Sequence, residues 1–387
     1  MQLSASSTAR GVAAVALLSL ARSAAAAPPV YEERKLSYLF HYFADSDKVH
    51  VSSHYSDALM RPSEGTELAL QWGNQTVVIP GIAAPPGSSE ALDAITSASR
   101  PVSSRFGAYD SFTKSRNQLD AELRGAGCKA GYYVSKESDY LAQQVRGVAS
   151  RDFMDRALNL AAGSSYSWDR ITPLQDDDTA GGDDWKRTWH GDLVATHALT
   201  PTTLVRAGVE LNAVNGLQHN PYRNILAGET RVAERHPDTR LRRDLYVRLN
   251  QYLTNRSSVK LSYILYADDW GLRSQTAGVE LNQYITGNVV AGYRYRFYDQ
   301  GSADFYREEY ASSNGVDGFL SADYRLSDFE AHLFGGDVEW RLGNALREAF
   351  GGSALLDGVA LTMRYERYFN THNFSANILE SGLEWAF

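Results

Sequence analysis

The 387-residue sequence holds one cysteine, Cys128. A single thiol excludes an intramolecular disulfide framework and any metal site built from several cysteines. It also excludes covalently attached haem, whose Cys-x-x-Cys-His motif needs two. No cysteine follows the apolar stretch near the start of the chain, so a lipoprotein leader is excluded too. Positive charge is short. Against 46 Asp and Glu stand 38 Lys and Arg, a formal charge of −8 with a pI near 5.6. That balance argues against nucleic acid as a partner. Beyond the leader no apolar run approaches the roughly 20 residues that a spanning helix needs. Mean hydropathy is −0.36. Neither Gly-x-Ser-x-Gly nor His-Glu-x-x-His occurs, so no enzyme, cofactor or metal chemistry is expected.

What is present starts with a leader. Residues 1–27 read as a secretory signal peptide: Arg10 is the positive region, residues 11–20 are apolar, and small residues at 23–27 suit cleavage. Removing it, with Arg10 and Arg22 and no acid, leaves a mature chain 28–387 at about −10. At the other end, Leu379, Leu383, Trp385 and Phe387 share one face of a strand, and Glu380, Gly382, Glu384 and Ala386 share the other. Side chains alternate between the faces of a strand, so one face is apolar and aromatic and the other charged. A chain closing on such a strand with a terminal Phe reads as an outer-membrane β-barrel. Leu379, Leu383, Trp385 and Phe387 resemble the signal read by the barrel-assembly machinery.

The same alternation recurs. Leu245, Val247, Leu249 and Leu253 oppose Asp244, Tyr246, Arg248 and Asn250; Val259, Leu261, Tyr263 and Leu265 oppose Lys260, Ser262, Tyr266 and Asp268. Residues 277–285 and 289–298 repeat the pattern across a turn at Gly287. Period-two runs of ten residues joined by tight turns form an antiparallel meander, and each run is long enough to cross a bilayer when tilted. Further strands are expected at 35–43, 49–59, 117–123, 130–135, 140–148, 157–168, 188–198, 203–213, 318–324, 330–342 and 359–369, with one more at 67–80. The expected fold is all-β: a single antiparallel transmembrane barrel of about 16 strands (14–18) with long loops. A helix is foreseen only at 344–350. The 23 Tyr and 7 Trp suit the aromatic girdles at the two interfaces.

By the alternation, the lumen receives Arg206, Glu210, Asp244, Arg248, Lys260, Asp268, Glu280, Arg294, Arg296, Arg364, Glu366, Glu380 and Glu384. Charges inside a barrel must pair or stay wet. Two readings follow: a lattice of acid–base pairs filling a plugged lumen, or a water-filled pore whose charges select solutes.

Long loops are expected at 61–114, 170–187, 215–240, 299–317 and 343–358. Counted back from Phe387, these strands put the long loops on the side of the termini, against the usual order. One strand missed or invented between 299 and 358 would restore that order, which is preferred. Residues 61–114 read as a long insertion, folding into the lumen as a constriction or plug. The acidic tip 176–184 lacks the ligand spacing of a calcium loop. His50 and His54 share a strand face but lie too far apart for one metal, with His41 across the hairpin. His219, His236, Glu234 and Asp238 share a loop, read as a loop bonding to itself.

Three stretches carry a family resemblance: Asp-Ala-Ile-Thr-Ser-Ala-Ser-Arg-Pro at 93–101, Val-Ser-Lys-Glu-Ser-Asp-Tyr at 134–140, and the hairpin from Tyr365 through Phe374 to Phe387. They resemble the Asp-x-x-Ser-Gly-Ala-Ser-Pro, the Ser-x-Glu-x-Asp-Tyr and the C-terminal hairpin of an uncharacterised proteobacterial outer-membrane barrel family, a domain of unknown function. In the first, Ser97 stands for the Gly and Arg100 is inserted before Pro101. The resemblance implies a secreted barrel in a Gram-negative outer membrane. It also implies a neighbourhood of flavin-transfer and thioredoxin-like redox proteins, hence a periplasmic redox partner that the barrel docks or sheathes. Other expected partners are outer-membrane lipid, periplasmic chaperones and the assembly machinery. Porin-like passage of ions or small solutes is the leading functional expectation, with the redox scaffold second and an outer-membrane enzyme last.

Overall fold

The computed structural model describes residues 34–63, 65–79, 112–174, 181–350 and 357–387. In chain order the strands are β1 (Lys35–Asp45), β2 (His50–Ser63), β3 (Thr66–Ile79), β4 (Phe112–Gly125), β5 (Cys128–Lys136), β6 (Tyr140–Phe153), β7 (Leu158–Ile171), β8 (Asp184–Thr200) and β9 (Thr203–Gly216). A small hairpin of β10 (Asn224–Ala227) and β11 (Thr230–Ala233) follows. Then come β12 (Thr239–Leu253), β13 (Ser257–Asp268), β14 (Arg273–Tyr284), β15 (Val289–Gln300), β16 (Phe329–Arg341), helix α1 (Gly343–Phe350), β17 (Gly358–Asn370) and β18 (Ser375–Ala386). Every strand except β10 and β11 joins one closed antiparallel barrel, sixteen strands in all. Closure is between the first and last strands, with Leu36 opposite Trp385 and Tyr38 opposite Leu383. A closed sheet has no unpaired edge and satisfies its backbone internally, which is what lipid demands.

The period-two pattern explains why these segments are strands and which way they face. Leu193, Leu245, Leu261, Tyr293, Met363 and Leu383 are exposed on the outer face, although each is apolar or aromatic. Such a surface is stable against hydrocarbon, not water. Buried apolar side chains gather instead in the loops. Trp270, Leu272, Ala303, Phe305 and Leu326 form one cluster, and Ile225, Ala227, Tyr310 and Leu320 another.

Two corrections set the topology. Residues 318–324 are not a barrel strand. They make only isolated bridges, such as Arg235 with Leu320 and Tyr306 with Ser321, inside the 301–328 loop. Their alternation serves the loop's own core, where Leu320 and Ser321 are fully buried. Conversely, the insertion read over 61–114 is shorter: the strand expected at 67–80 is present as β3, Arg61 lies in β2, and 112–114 opens β4. What remains of that insertion, residues 80–111, lies outside the described residues, as does the leader. With these changes the short turns 126–127, 201–202 and 254–256 fall at the end that holds the termini. The long connections 172–183, 217–238 and 301–328 fall at the opposite end. The turn at 126–127 is tight because Ala126 and Gly127 both take positive φ, 49° and 77°, which matches the twist of the flanking strands. One long connection, 342–357 with α1, lies on the side of the termini.

Candidate functional site: the lumen and its loop cap

Strand register arranges the interior charges in rows across the wall. One row runs Asn250, Lys260, Glu280, Arg294, Gly335, Glu366. Lys260 Nζ lies 2.7 Å from Glu280 Oε1. Arg294 Nε donates to Glu366 across the intervening strand β16. Gly335 makes this possible, since a Cβ there would lie 2.2 Å from the Tyr365 carbonyl and 2.8 Å from Glu366 Cγ. A second row holds Asp337, Arg364 and Glu380, with Arg364 3.7 Å from the first and 2.7 Å from the second. Glu384 pairs with Lys35 at 2.6 Å. Asp268 sits at the rim. It accepts from Arg240 Nε at 2.8 Å and from the amides of Trp270 and Leu272 at 3.0 and 3.1 Å, so it builds the β13–β14 turn.

The other five interior charges named from the sequence form no ion pair among the described residues. Glu210 lies directly opposite Asp244, and Asp192 lies opposite Glu210 on its other side. Arg206 lies directly opposite Arg248. Arg296 shares the row of the two arginines.

The facing wall carries a network that the sequence reading left unassigned. Arg146 bonds Asp120 at 2.8 Å and Glu122 at 3.0 Å, and Arg124 bonds Glu122 at 2.6 Å. Gly131 leaves room for Arg146, whose guanidinium carbon would lie 2.8 Å from a Cβ there. The signal was present, because Lys114, Arg116, Gln118, Asp120, Glu122 and Arg124 alternate through β4.

Of the histidines, His41 takes the interior register opposite Glu380. His50 and His54 take the outer one, where Tyr42 Oη is 3.1 Å from His50 Nδ1 and Tyr38 Oη 2.6 Å from His54 Nδ1. No group of three metal-ligating side chains occurs among the described residues. Residues 176–180 of the acidic tip lie outside the described residues, and Asp183 accepts from Thr172 at 2.7 Å.

At the long-loop end, 217–238 and 301–328 fold together. Arg235 and Leu320 exchange backbone hydrogen bonds of 3.0 and 2.9 Å, and the Gly228 amide donates to the Tyr310 carbonyl at 2.7 Å. Ser321 Oγ donates to Glu234 at 2.9 Å, and Arg223 lies 2.8 Å from Asp323. The His236 ring packs 5.3 Å from Trp270 and 5.5 Å from Phe305. Tyr222 Oη reaches Asp139 at 2.5 Å, anchoring the first loop to the β5–β6 turn three strands along the rim from β9. The loop does bond to itself, with His236 Nδ1 3.3 Å from the Gln218 carbonyl and Gln218 donating to the Pro237 carbonyl at 3.1 Å, and its acid also bonds a second loop.

Burial dominates the electrostatics of this cap. Burial pushes the Glu234 carboxyl up to about 7 despite Arg223 beside it. Burial also pushes the His236 imidazole down to about 4, helped by His219. Asp323 is buried as well, yet Arg223 and Arg325 hold it down at about 2.

Beneath the cap is a cavity of about 950 Å³. Lys114 and Lys186 line it from one wall, Arg242 and Tyr266 from the other, and Gln218 and Asp323 from the loops. A second cavity of about 570 Å³ lies against β9 and β12–β15.

A closed antiparallel barrel, apolar outside and charged within, defines the class of outer-membrane β-barrels. Within that class, the chain matches the family described as protein of unknown function (DUF3570) over residues 7–183 and 177–373, and it belongs to that family. No curated protein matches it. Among solved structures it is similar to the loop L8 deletion mutant of OmpT, an outer membrane protein of Vibrio cholerae, at 11% identity over 92% of this chain and 98% of that one, with a TM-score of 0.42. It is similar to OccAB3 of Acinetobacter baumannii at 10% identity over 92% and 99%, TM-score 0.40. OpdK of Pseudomonas aeruginosa, solved with vanillate, gives 8% identity over 92% and 98%, also at 0.40. At such identities the likeness concerns the fold alone.

Proposed function

We propose that this barrel lies in the outer membrane and passes ions or small solutes through a wet, charged lumen narrowed by the cap. The supporting observation is the set of five interior charges without an ion pair among the described residues, Arg206, Arg248, Arg296, Glu210 and Asp244. A charge inside a barrel is strongly destabilising unless paired or hydrated; Arg206 faces Arg248, Glu210 faces Asp244, and Arg296 faces Gly278 and Leu333. Water in the lumen satisfies them. The paired rows of the same interior then act as fixed walls, and the unpaired rows face the solute. The cap spans the rim from the β5–β6 turn to the β15–β16 connection, so it restricts entry from the long-loop side. Export through the signal peptide, passage with periplasmic chaperones, and recognition of Leu379, Leu383, Trp385 and Phe387 by the assembly machinery complete this reading. Planar-bilayer recording of the purified, folded barrel tests it: discrete conductance steps are expected, and a folded barrel that inserts without steps refutes it.

A further inference from the structure

The register places Arg206, Arg248, Ser262, Gly278 and Arg296 in one continuous row across β9, β12, β13, β14 and β15. All five line the cavity of about 570 Å³. Like charges directly opposite one another destabilise a sheet, yet Arg206 faces Arg248 with no carboxylate in the row. The neighbouring bases are already matched, Lys260 with Glu280 and Arg294 with Glu366. The three arginines have no ion pair among the described residues. Of the acids of the same wall, Glu280 lines the cavity but is held by Lys260, and Asp192, Glu210 and Asp244 lie four residues further toward the long loops, roughly 13 Å along the strand. Tyr246 stands between, its ring 5.1 Å from the Arg248 guanidinium carbon. That ring braces the guanidinium, as arginine stacked on an aromatic face does. Gly208 accommodates it, because a Cβ there would meet the Tyr246 hydroxyl at 2.6 Å. Between Arg248 and Arg296 the wall is low, only Ser262 and Gly278, so a solute can rest there with guanidinium groups on either side.

We infer that Arg206, Arg248 and Arg296 form a luminal binding site for a small oxyanion, a solute bearing a carboxylate or phosphate group. The planar guanidinium fork matches two oxygens of either group, and the cavity lies within the usual range for small-molecule sites. The inference deepens the channel reading and rests on it for a wet lumen. It makes the channel one that prefers anions although the chain as a whole is acidic.

The test is calorimetric titration of the folded barrel in detergent at constant ionic strength, with inorganic phosphate in one arm and succinate in the other. Saturable binding of either is expected and identifies the source of the oxyanion. The triple variant Arg206→Gln, Arg248→Gln, Arg296→Gln should weaken it at least tenfold, whereas Arg341→Gln, which pairs with Glu339 on β16 and does not line the cavity, should not. Heat-modifiable gel mobility confirms that each variant is folded, and the single variant Arg248→Gln carries the test if the triple does not fold. No saturable binding of either probe by the parent, or equal binding by parent and variants, overturns the site. Conductance recorded in parallel separates the two claims: arginine-dependent binding without conductance refutes the channel and leaves the site standing.

Discussion

Replacing Glu234 by Gln should change how the cap responds to pH. The carboxyl is fully buried between Arg223, Ser321 and His236, and its folded value of about 7 lies above the ordinary 4.5. An acid raised on folding contributes stability that is fully present below its unfolded value and lost as pH rises through its folded one. His236 works the other way. Its fall from 6.5 to about 4 gives stability that is present above 6.5 and lost as pH falls through 4. Each effect amounts to about 3 kcal/mol at about 1.4 kcal/mol per unit. Between roughly pH 4.5 and 6.5 the two slopes oppose, so opening of the parent cap is nearly independent of pH. Asp323, lowered to about 2, adds its stability above 3.8 and stays outside that window. Gln keeps the Ser321 hydrogen bond and removes the titration, leaving only the histidine slope. The cap of the variant should then stabilise by about 3 kcal/mol, or roughly a hundredfold in protection, from pH 4 to 6.5. Hydrogen exchange of the Arg235 and Leu320 amides, corrected for intrinsic rate, reads this directly, since each donates to the other's carbonyl. Protection in the variant that stays flat across that range refutes the reasoning.

Other perturbations have equally definite outcomes. Gly335→Val should drive a side chain into the Tyr365 carbonyl and part Arg294 from Glu366, destabilising the barrel by about 1–3 kcal/mol or more; the midpoint of heat-dependent gel mobility should fall. Trp270→Ala removes the ring between Phe305, His236 and Arg240, costing about 3–5 kcal/mol within the cap. Faster proteolysis at 301–328 with an intact barrel is the expected readout. Leu383→Asp with Trp385→Asp places charge on the lipid face, about 2–4 kcal/mol at mid-membrane and less near the rim. Loss of the variant from the outer-membrane fraction should exceed what that energy explains, because the terminal signal fails first; normal levels would contradict the role given to those residues.

Most of the barrel was legible because one physical rule, alternate faces in two solvents, writes itself into every strand. It fails where the contrast is weak. In β3 the outer positions Asn74 and Thr76 are polar and the inner positions Ala69 and Gly73 are not charged, so the strand expected at 67–80 did not stand apart from the insertion read over 61–114. It misleads where a loop has a core of its own. Residues 318–324 alternate to fit Leu320 beneath Tyr310, and so imitated a spanning strand. The interior faces of Arg206, Glu210 and the other named charges followed from parity alone. Which of them pair did not, because pairing depends on register between strands, as in the Arg294–Gly335–Glu366 row. The cap was beyond reach for the same reason: Ser321 meets Glu234 and Tyr222 meets Asp139 across more than eighty residues, and no local pattern records such meetings.

The central claim is a water-filled lumen narrowed by folded loops. Its most direct test is single-channel recording of the parent beside a variant in which a short Gly-Ser linker replaces residues 304–322. Small discrete steps in the parent and larger ones in the variant are predicted. Silence from both, with each shown by heat-modifiable mobility to be folded, or steps of equal size, would contradict the account.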